Sequence, residues 1–121
     1  MNLFSQLAEE PTYEEVFPGS ILMRGLALPQ AEEFFAAIET ILAAAPLRHA
    51  VTPSGLPMSV MVTDCGDPRA LANRWSSSEK PRMWPPMPRV LYDFAIRCAT
   101  RSGFPHFRPD ACHINRYQAG T

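Results

Sequence analysis

Few of the residues that usually announce a function are present in this 121-residue chain. Its three cysteines, Cys65, Cys98 and Cys112, are widely spaced and form no C-x-x-C, which excludes a zinc knuckle or a dithiol redox motif. Its three histidines, His49, His106 and His113, are followed by Ala-Val, Phe-Arg and Ile-Asn. None opens a His-x-Asp or His-x-Glu pair, so no site of two histidines and one carboxylate for iron is identifiable. Charge of one sign is lacking too. A formal net charge of −1 gives no global electrostatic footprint for nucleic acid and leaves room only for a local basic patch. No apolar run approaches the ~20 residues that span a bilayer. The opening decapeptide carries Glu9 and Glu10 but no positive charge ahead of its apolar residues, unlike a secretory signal. Reduced thiols without a leader imply a cytoplasmic location.

Proline, by contrast, is abundant. Thirteen prolines are about twice the ordinary ~5%, and they predict many turns and few long helices. Residues 1–15 read as a polar arm with Leu3, Phe4 and Leu7 as anchors. Ile21–Arg24 reads as a short strand after the Pro18-Gly19 turn. Gln30–Ala45 is the clearest helix. Pro29 stands at its start, Glu32 and Glu33 complement its dipole, and Pro46 stops it. Phe34, Ile38, Ile41, Leu42 and Ala45 recur every three or four residues and form one apolar stripe. Met58–Thr63 alternates as a half-buried strand. Asp64–Pro88 reads as a long irregular stretch, either a binding loop or lid or else disordered, and its two tryptophans, costly to leave in water, favour the loop or lid. Arg89–Ser102 is a second helix, with Val90, Leu91, Phe94, Ala95 and Cys98 inward and Gly103 placed as a left-handed cap.

The segment from Pro109 to Thr121 is the most informative. It reads as a strand, Ala111–Tyr117, in which His113, Asn115 and Tyr117 share one face by alternation. An amide and a phenol aimed inward are costly unless paired, and a small polar ligand is one reason to place them there. They equally suit a strand end that satisfies nearby backbone. The order of strands, helix, strand, long loop, helix and strand fits an α+β front half of a larger β fold. There are too few strands here to close a barrel or sandwich.

These residues also carry a resemblance. Asn115-x-Tyr117 after Pro109-Asp110-Ala111-Cys112 resembles the cosubstrate strand of the AlkB family, closest to its bacterial members. The likeness runs in order through Val51-Thr52-Pro53-Ser54-Gly55, Met58-Ser59-Val60, Cys65-Gly66, Trp84-Pro85-Pro86-Met87-Pro88 and Gly103-Phe104-Pro105, nearly the whole chain. It implies the N-terminal part of a double-stranded β-helix (jelly-roll) dioxygenase: a lid over about residues 50–80, two supporting helices and the first strands, within one domain from residue 16 onward. Such proteins use Fe(II), O2 and 2-oxoglutarate to demethylate alkylated bases in single- or double-stranded DNA, and in some cases RNA, with formaldehyde as the leaving product. A full-length member is expected to be monomeric and not membrane-bound.

By the same resemblance, Asn115 and Tyr117 bind the carboxylates of 2-oxoglutarate. An amide N–H and a phenol O–H both donate to carboxylate oxygens without adding charge. Thr52, Met58, Ser59, Val62, Arg74 and Trp75 fall on the substrate side. Arg69 adds positive charge for phosphates, and base-flipping enzymes also need aromatic or apolar contacts. Close relatives carry an apolar residue at position 113, so His113 is expected to be packed or water-bonded. The family's lid tryptophan falls here on Ala70 and a lid tyrosine near Ser77. The family's His-x-Asp ligands and later arginines have no counterpart up to Thr121, so this chain alone is expected to bind no iron and to lack turnover. The alternative is a non-catalytic half-domain that binds nucleic acid weakly or pairs with a second chain.

Overall fold

The computed structural model describes residues 10–71 and 84–120. Two compact units are distinguished, residues 1–38 with 89–108 and residues 39–88 with 109–121. The boundary between residues 38 and 39 falls within a helix.

The first unit begins where an arm was expected. Thr12–Phe17 forms strand β1, paired antiparallel with β2, Ser20–Arg24. Pro18-Gly19 makes the turn between them, and Arg24 bonds Glu14 across the pair at 2.7 Å. The polar glutamates concealed the strand, but Thr12, Tyr13, Val16 and Phe17 are β-branched or aromatic residues that suit one. After a 3-10 turn at Leu28–Gln30 comes helix α1, Ala31–Ala44. Pro29 therefore shapes the lead-in turn rather than the helix proper. Phe34 of α1 meets Phe94 edge-on, with ring centroids 4.8 Å apart.

In the second unit, β3 (Arg48–Val51), β4 (Pro57–Gly66) and β5 (Ala111–Arg116) form an antiparallel sheet in the order β3-β4-β5. A short helix, α2, covers Pro68–Leu71, with Asp67 capping it through the amide of Arg69 at 2.9 Å. The long helix α3, Arg89–Arg101, belongs to the first unit. It closes as a Schellman motif. Phe104 N–H donates to Ala99 and Gly103 N–H to Thr100, with Gly103 at φ 94°, the left-handed cap expected from the sequence.

β4 runs three residues past the expected end at Thr63. Asp64, Cys65 and Gly66 look like the start of a loop, since turn chemistry follows in Asp67-Pro68. Cross-strand pairing overrides that local signal, because each of the three faces a β5 partner: His113, Cys112 and Ala111. Val62, Thr63, Asp64 and Cys65 are all buried, so this half of β4 is covered on both faces. On one face the Thr63 hydroxyl donates to the carbonyl of Ala45, just past α1, at 2.7 Å. That bond satisfies one of the carbonyls a helix end leaves open.

Gly66 fixes the end of the strand. Its φ is 121°, and a β-carbon there would lie 2.4 Å from the Asp110 carbonyl oxygen and 2.7 Å from the Ala111 α-carbon. Its N–H donates to the Pro85 carbonyl at 2.8 Å, while Asp67 N–H donates to Asp110 at 2.7 Å. Only glycine fits this crowded backbone. Gly66→Ala is expected to destabilise the protein by about 2 kcal/mol or more, since backbone must move as well as twist. A urea-unfolding midpoint unchanged from wild type would refute this account of the strand end.

Candidate functional site

Antiparallel partners share a face of the sheet. Arg48 pairs with Val62, Val62 with Asn115, and Asp64 with His113. One face of the second unit therefore gathers Arg48, Val62, Asp64, His113 and Asn115, with Tyr117 just past the end of β5. The opposite face holds Met61, Thr63, Cys65, Cys112, Ile114 and Arg116.

Asn115 and Tyr117 lie together as the sequence predicts. The Asn115 amide Nδ2 donates to the Tyr117 hydroxyl oxygen at 3.2 Å. That bond leaves one amide N–H and the phenol O–H to donate outward. The pair is not buried, however. Asn115 is exposed and Tyr117 is 72% exposed, because β5 pairs with β4 on one side only among the described residues and its last residues project beyond the core. The donor set suits a carboxylate, which only accepts and takes two bonds side by side. Among the described residues no group of three or more His, Cys, Asp or Glu stands close enough to hold one.

Asp64 was missed by sequence reasoning. It is 0% exposed, and its Oδ1 accepts from His113 Nδ1 at 2.8 Å. Its other oxygen, Oδ2, is buried without a hydrogen-bond partner. A buried carboxylate needs pairing, and His113 supplies it. His113 is thus not simply packed or water-bonded. The available signal was alternation: Asp64 has the parity of Val60 and Val62 if β4 is allowed to continue. The partner across the sheet depends on register, which a single sequence does not display. On the same face Arg48 stacks over Trp84, 5.2 Å from the ring centroid. Trp84-Pro85 is thereby packed and hydrogen-bonded against the sheet.

The substrate-side residues divide. Thr52 closes the β3–β4 turn. Its hydroxyl accepts from Leu56 N–H at 3.0 Å and bonds the Ser54 hydroxyl at 2.9 Å, and its N–H donates to Leu56 at 2.8 Å. Met58 and Ser59 are exposed on the adjoining strand, beside exposed Val51 and Leu56. Val62, placed on the substrate side by resemblance, is buried in the structure. At 2% exposure it sits in the sheet core between Arg48 and Asn115, so it presents no surface to a nucleotide. Arg69 is solvent-exposed and lies 3.6 Å from Asp67. Arg74 and Trp75 lie outside the described residues, as does the Ser76–Ser78 run.

The thiols of Cys65 and Cys112 also meet across the sheet. Cys65 donates a hydrogen bond that stabilises the Cys112 thiolate and pulls Cys112 down from 9.0 to about 7, against burial and the Asp64 charge. The same bond, with burial and the charges of Cys112 and Asp64, pushes Cys65 up, so Cys65 keeps its proton. The sequence shows the two only as widely spaced thiols; the register makes them neighbours.

The chain matches the 2OG-Fe(II) oxygenase superfamily over residues 19–121. It belongs to that superfamily, whose domain is a jelly roll, and within it to the AlkB family. It is 36% identical over 118 residues to the alpha-ketoglutarate-dependent dioxygenase AlkB of Escherichia coli (strain K12), covering 93% of this chain and 55% of that protein. To the protein of the same name from Salmonella typhimurium (strain LT2) it is 33% identical over 129 residues, covering 100% of this chain and 58% of the relative. The chain thus spans a little over half the length of these curated relatives.

Alkylation of Cys112 by iodoacetamide tests the thiol pair. Thiolate is the reactive form, so the rate should fall as the pH drops through about 7. Replacing the donor, as in Cys65→Ala, should move that midpoint upward toward 9.0. A midpoint near 9.0 already in the wild type would dismiss the coupling.

Proposed function

We propose that this chain forms the front part of an AlkB-like dioxygenase domain that oxidatively demethylates alkylated bases in DNA or RNA. The reading rests on membership of the superfamily together with one geometric observation: Asn115 and Tyr117, bonded to each other, carry two donors outward on an accessible strand end. Fe(II), O2 and 2-oxoglutarate supply the oxidising chemistry of this superfamily when bound.

In this reading, Asn115 and Tyr117 hold a carboxylate of 2-oxoglutarate. Their mutual bond fixes both side chains before the anion arrives, which lowers the ordering cost of binding. The β3–β4 hairpin approaches the nucleic acid. Thr52 keeps its turn closed, while Met58 and Ser59 offer apolar and hydroxyl contact to a nucleotide displaced from its stack. Arg69 adds positive charge near the backbone, with Arg74 and Trp75 assigned the same side by resemblance alone. Both compact units belong to one domain in this account. We further propose that the full-length protein is a cytoplasmic monomer engaged in repair of alkylated nucleic acid.

The test is direct binding of 2-oxoglutarate to the full-length protein by titration calorimetry. Asn115→Ala and Tyr117→Phe should each weaken binding by roughly 5- to 50-fold, the range for one hydrogen bond to a charged group. Iron-dependent release of formaldehyde from a methylated oligonucleotide should fall in parallel at low cosubstrate and recover at saturation. Wild-type affinity in both variants would sink the assignment.

A further inference from the structure

Two thiols stand directly opposite each other where β4 meets the start of β5, and the proposed dioxygenase chemistry makes no use of them. Cys65 pairs with Cys112 in register, on the face opposite Asn115. Their spacing follows from the ladder. Asp67 N–H donates to the Asp110 carbonyl at 2.7 Å, while Gly66 N–H turns away to Pro85. In an antiparallel pair, residues that exchange backbone bonds alternate with residues that do not. Cys65 and Cys112 therefore fall on a bonded position, with α-carbons about 5.5 Å apart. A disulfide bridges α-carbons roughly 4.4–6.8 Å apart. Facing β-carbons lie about 4.5–5.5 Å apart across such a pair, so closure to the roughly 3.8 Å of a disulfide asks for an approach of about 1 Å.

The two sulfurs are unlike. Cys65 is buried, whereas Cys112 is half-buried and is the one a small oxidant meets first. The Cys65 S–H donates to the Cys112 sulfur. That bond holds Cys112 down at about 7 and keeps the proton on Cys65. Thiolate is the form that attacks an electrophile. Exposure and charge thus select the same sulfur, and the hydrogen bond brings the second sulfur against it. The third free cysteine, Cys98 of α3, belongs to the first unit, and burial pushes its thiol up.

We propose that Cys112 and Cys65 are a peroxide-oxidised pair, Cys112 attacking and Cys65 resolving, which closes a disulfide between β4 and β5. The Cys112 thiolate attacks one oxygen of hydrogen peroxide. The S–O bond forms, the O–O bond breaks, and the departing hydroxide takes up a proton to become water. The Cys65 sulfur then displaces the sulfenic oxygen of Cys112. The S–S bond forms, the S–O bond breaks, and the Cys65 proton leaves with that oxygen as a second water. The two sulfurs together lose two electrons and the peroxide gains them. A dithiol reverses the change by exchange. The link makes covalent the register that aligns Asn115, and it stands whether or not Asn115 binds a cosubstrate.

The experiment treats the full-length protein with hydrogen peroxide, in the presence of a chelator that suppresses iron–peroxide chemistry. Remaining thiols are then blocked, and the digest is read by mass spectrometry. Wild type should yield the Cys65 and Cys112 peptides joined and lighter by two hydrogens, and dithiothreitol should separate them. Cys112 should be consumed roughly tenfold faster than Cys98 at neutral pH, since the gain in thiolate outweighs its lower intrinsic nucleophilicity. Cys65→Ser keeps a donor but cannot resolve, so Cys112 should stop as a sulfenic acid that dimedone labels. Cys112→Ser should leave Cys65 reduced. Circular dichroism checks the fold of both variants, and if either fails to fold the wild-type digest decides alone. Oxidation of wild-type Cys112 to sulfinic acid without the joined peptide would overturn the proposal. So would consumption of Cys98 as fast as Cys112, or the same Cys112 product with and without Cys65.

Discussion

The register between β4 and β5 is the constraint on which the site depends. Side chains alternate along a strand, so a slip of one residue would carry Asn115 and His113 to the opposite face and bring Cys112 and Ile114 in their place. The register is held at one end by crowded backbone, where Gly66 presses against Asp110 and Ala111. In the middle it is held by chemistry, because the buried Asp64 carboxylate has its imidazole partner only when His113 lies opposite. Two unlike interactions thus select the same pairing. Asn115 and Tyr117 contribute little to this selection themselves, being exposed at the strand end.

Much of the fold was legible because it followed from local rules. The stripe on α1, the proline that stops it and the glycine that ends α3 are all written within a few residues of where they act. β1 was hidden because its two glutamates look like the solvated arm before it, whereas their pairing with β2 is a property of the hairpin. β4 was cut short for a related reason: Asp64 and Gly66 favour turns in isolation, and only a partner strand makes them strand residues. Proposing an inward amide and phenol correctly placed Asn115 beside Tyr117 but not their exposure, which depends on what lies alongside β5 rather than on anything in it.

The candidate site was legible by resemblance where its residues match a family pattern and illegible where they depart from one. Asn115 and Tyr117 stand in the motif, and the structure bonds the two side chains to each other. His113 departs from the pattern and was assigned a passive role; the structure joins it to Asp64, itself read as loop. Val62 was placed among substrate contacts by its position in the lid strand, yet that position lies where β4 enters the core between its two neighbours. A strand can pass from accessible to enclosed along its length, as β4 does between Met58 and Val62, and a motif match does not mark where the change occurs.

The bond from the Thr63 hydroxyl to the Ala45 carbonyl ties the end of a helix to the centre of a sheet. The last turn of α1 has its open carbonyl closed by a residue that is buried only while β4 is paired. Neither element can fray without exposing a polar group of the other. Hydrogen exchange should therefore find them in one cooperative opening unit, with the amides around Ile41 to Ala45 and those around Thr63 sharing a single rate-limiting event despite the sequence that separates them.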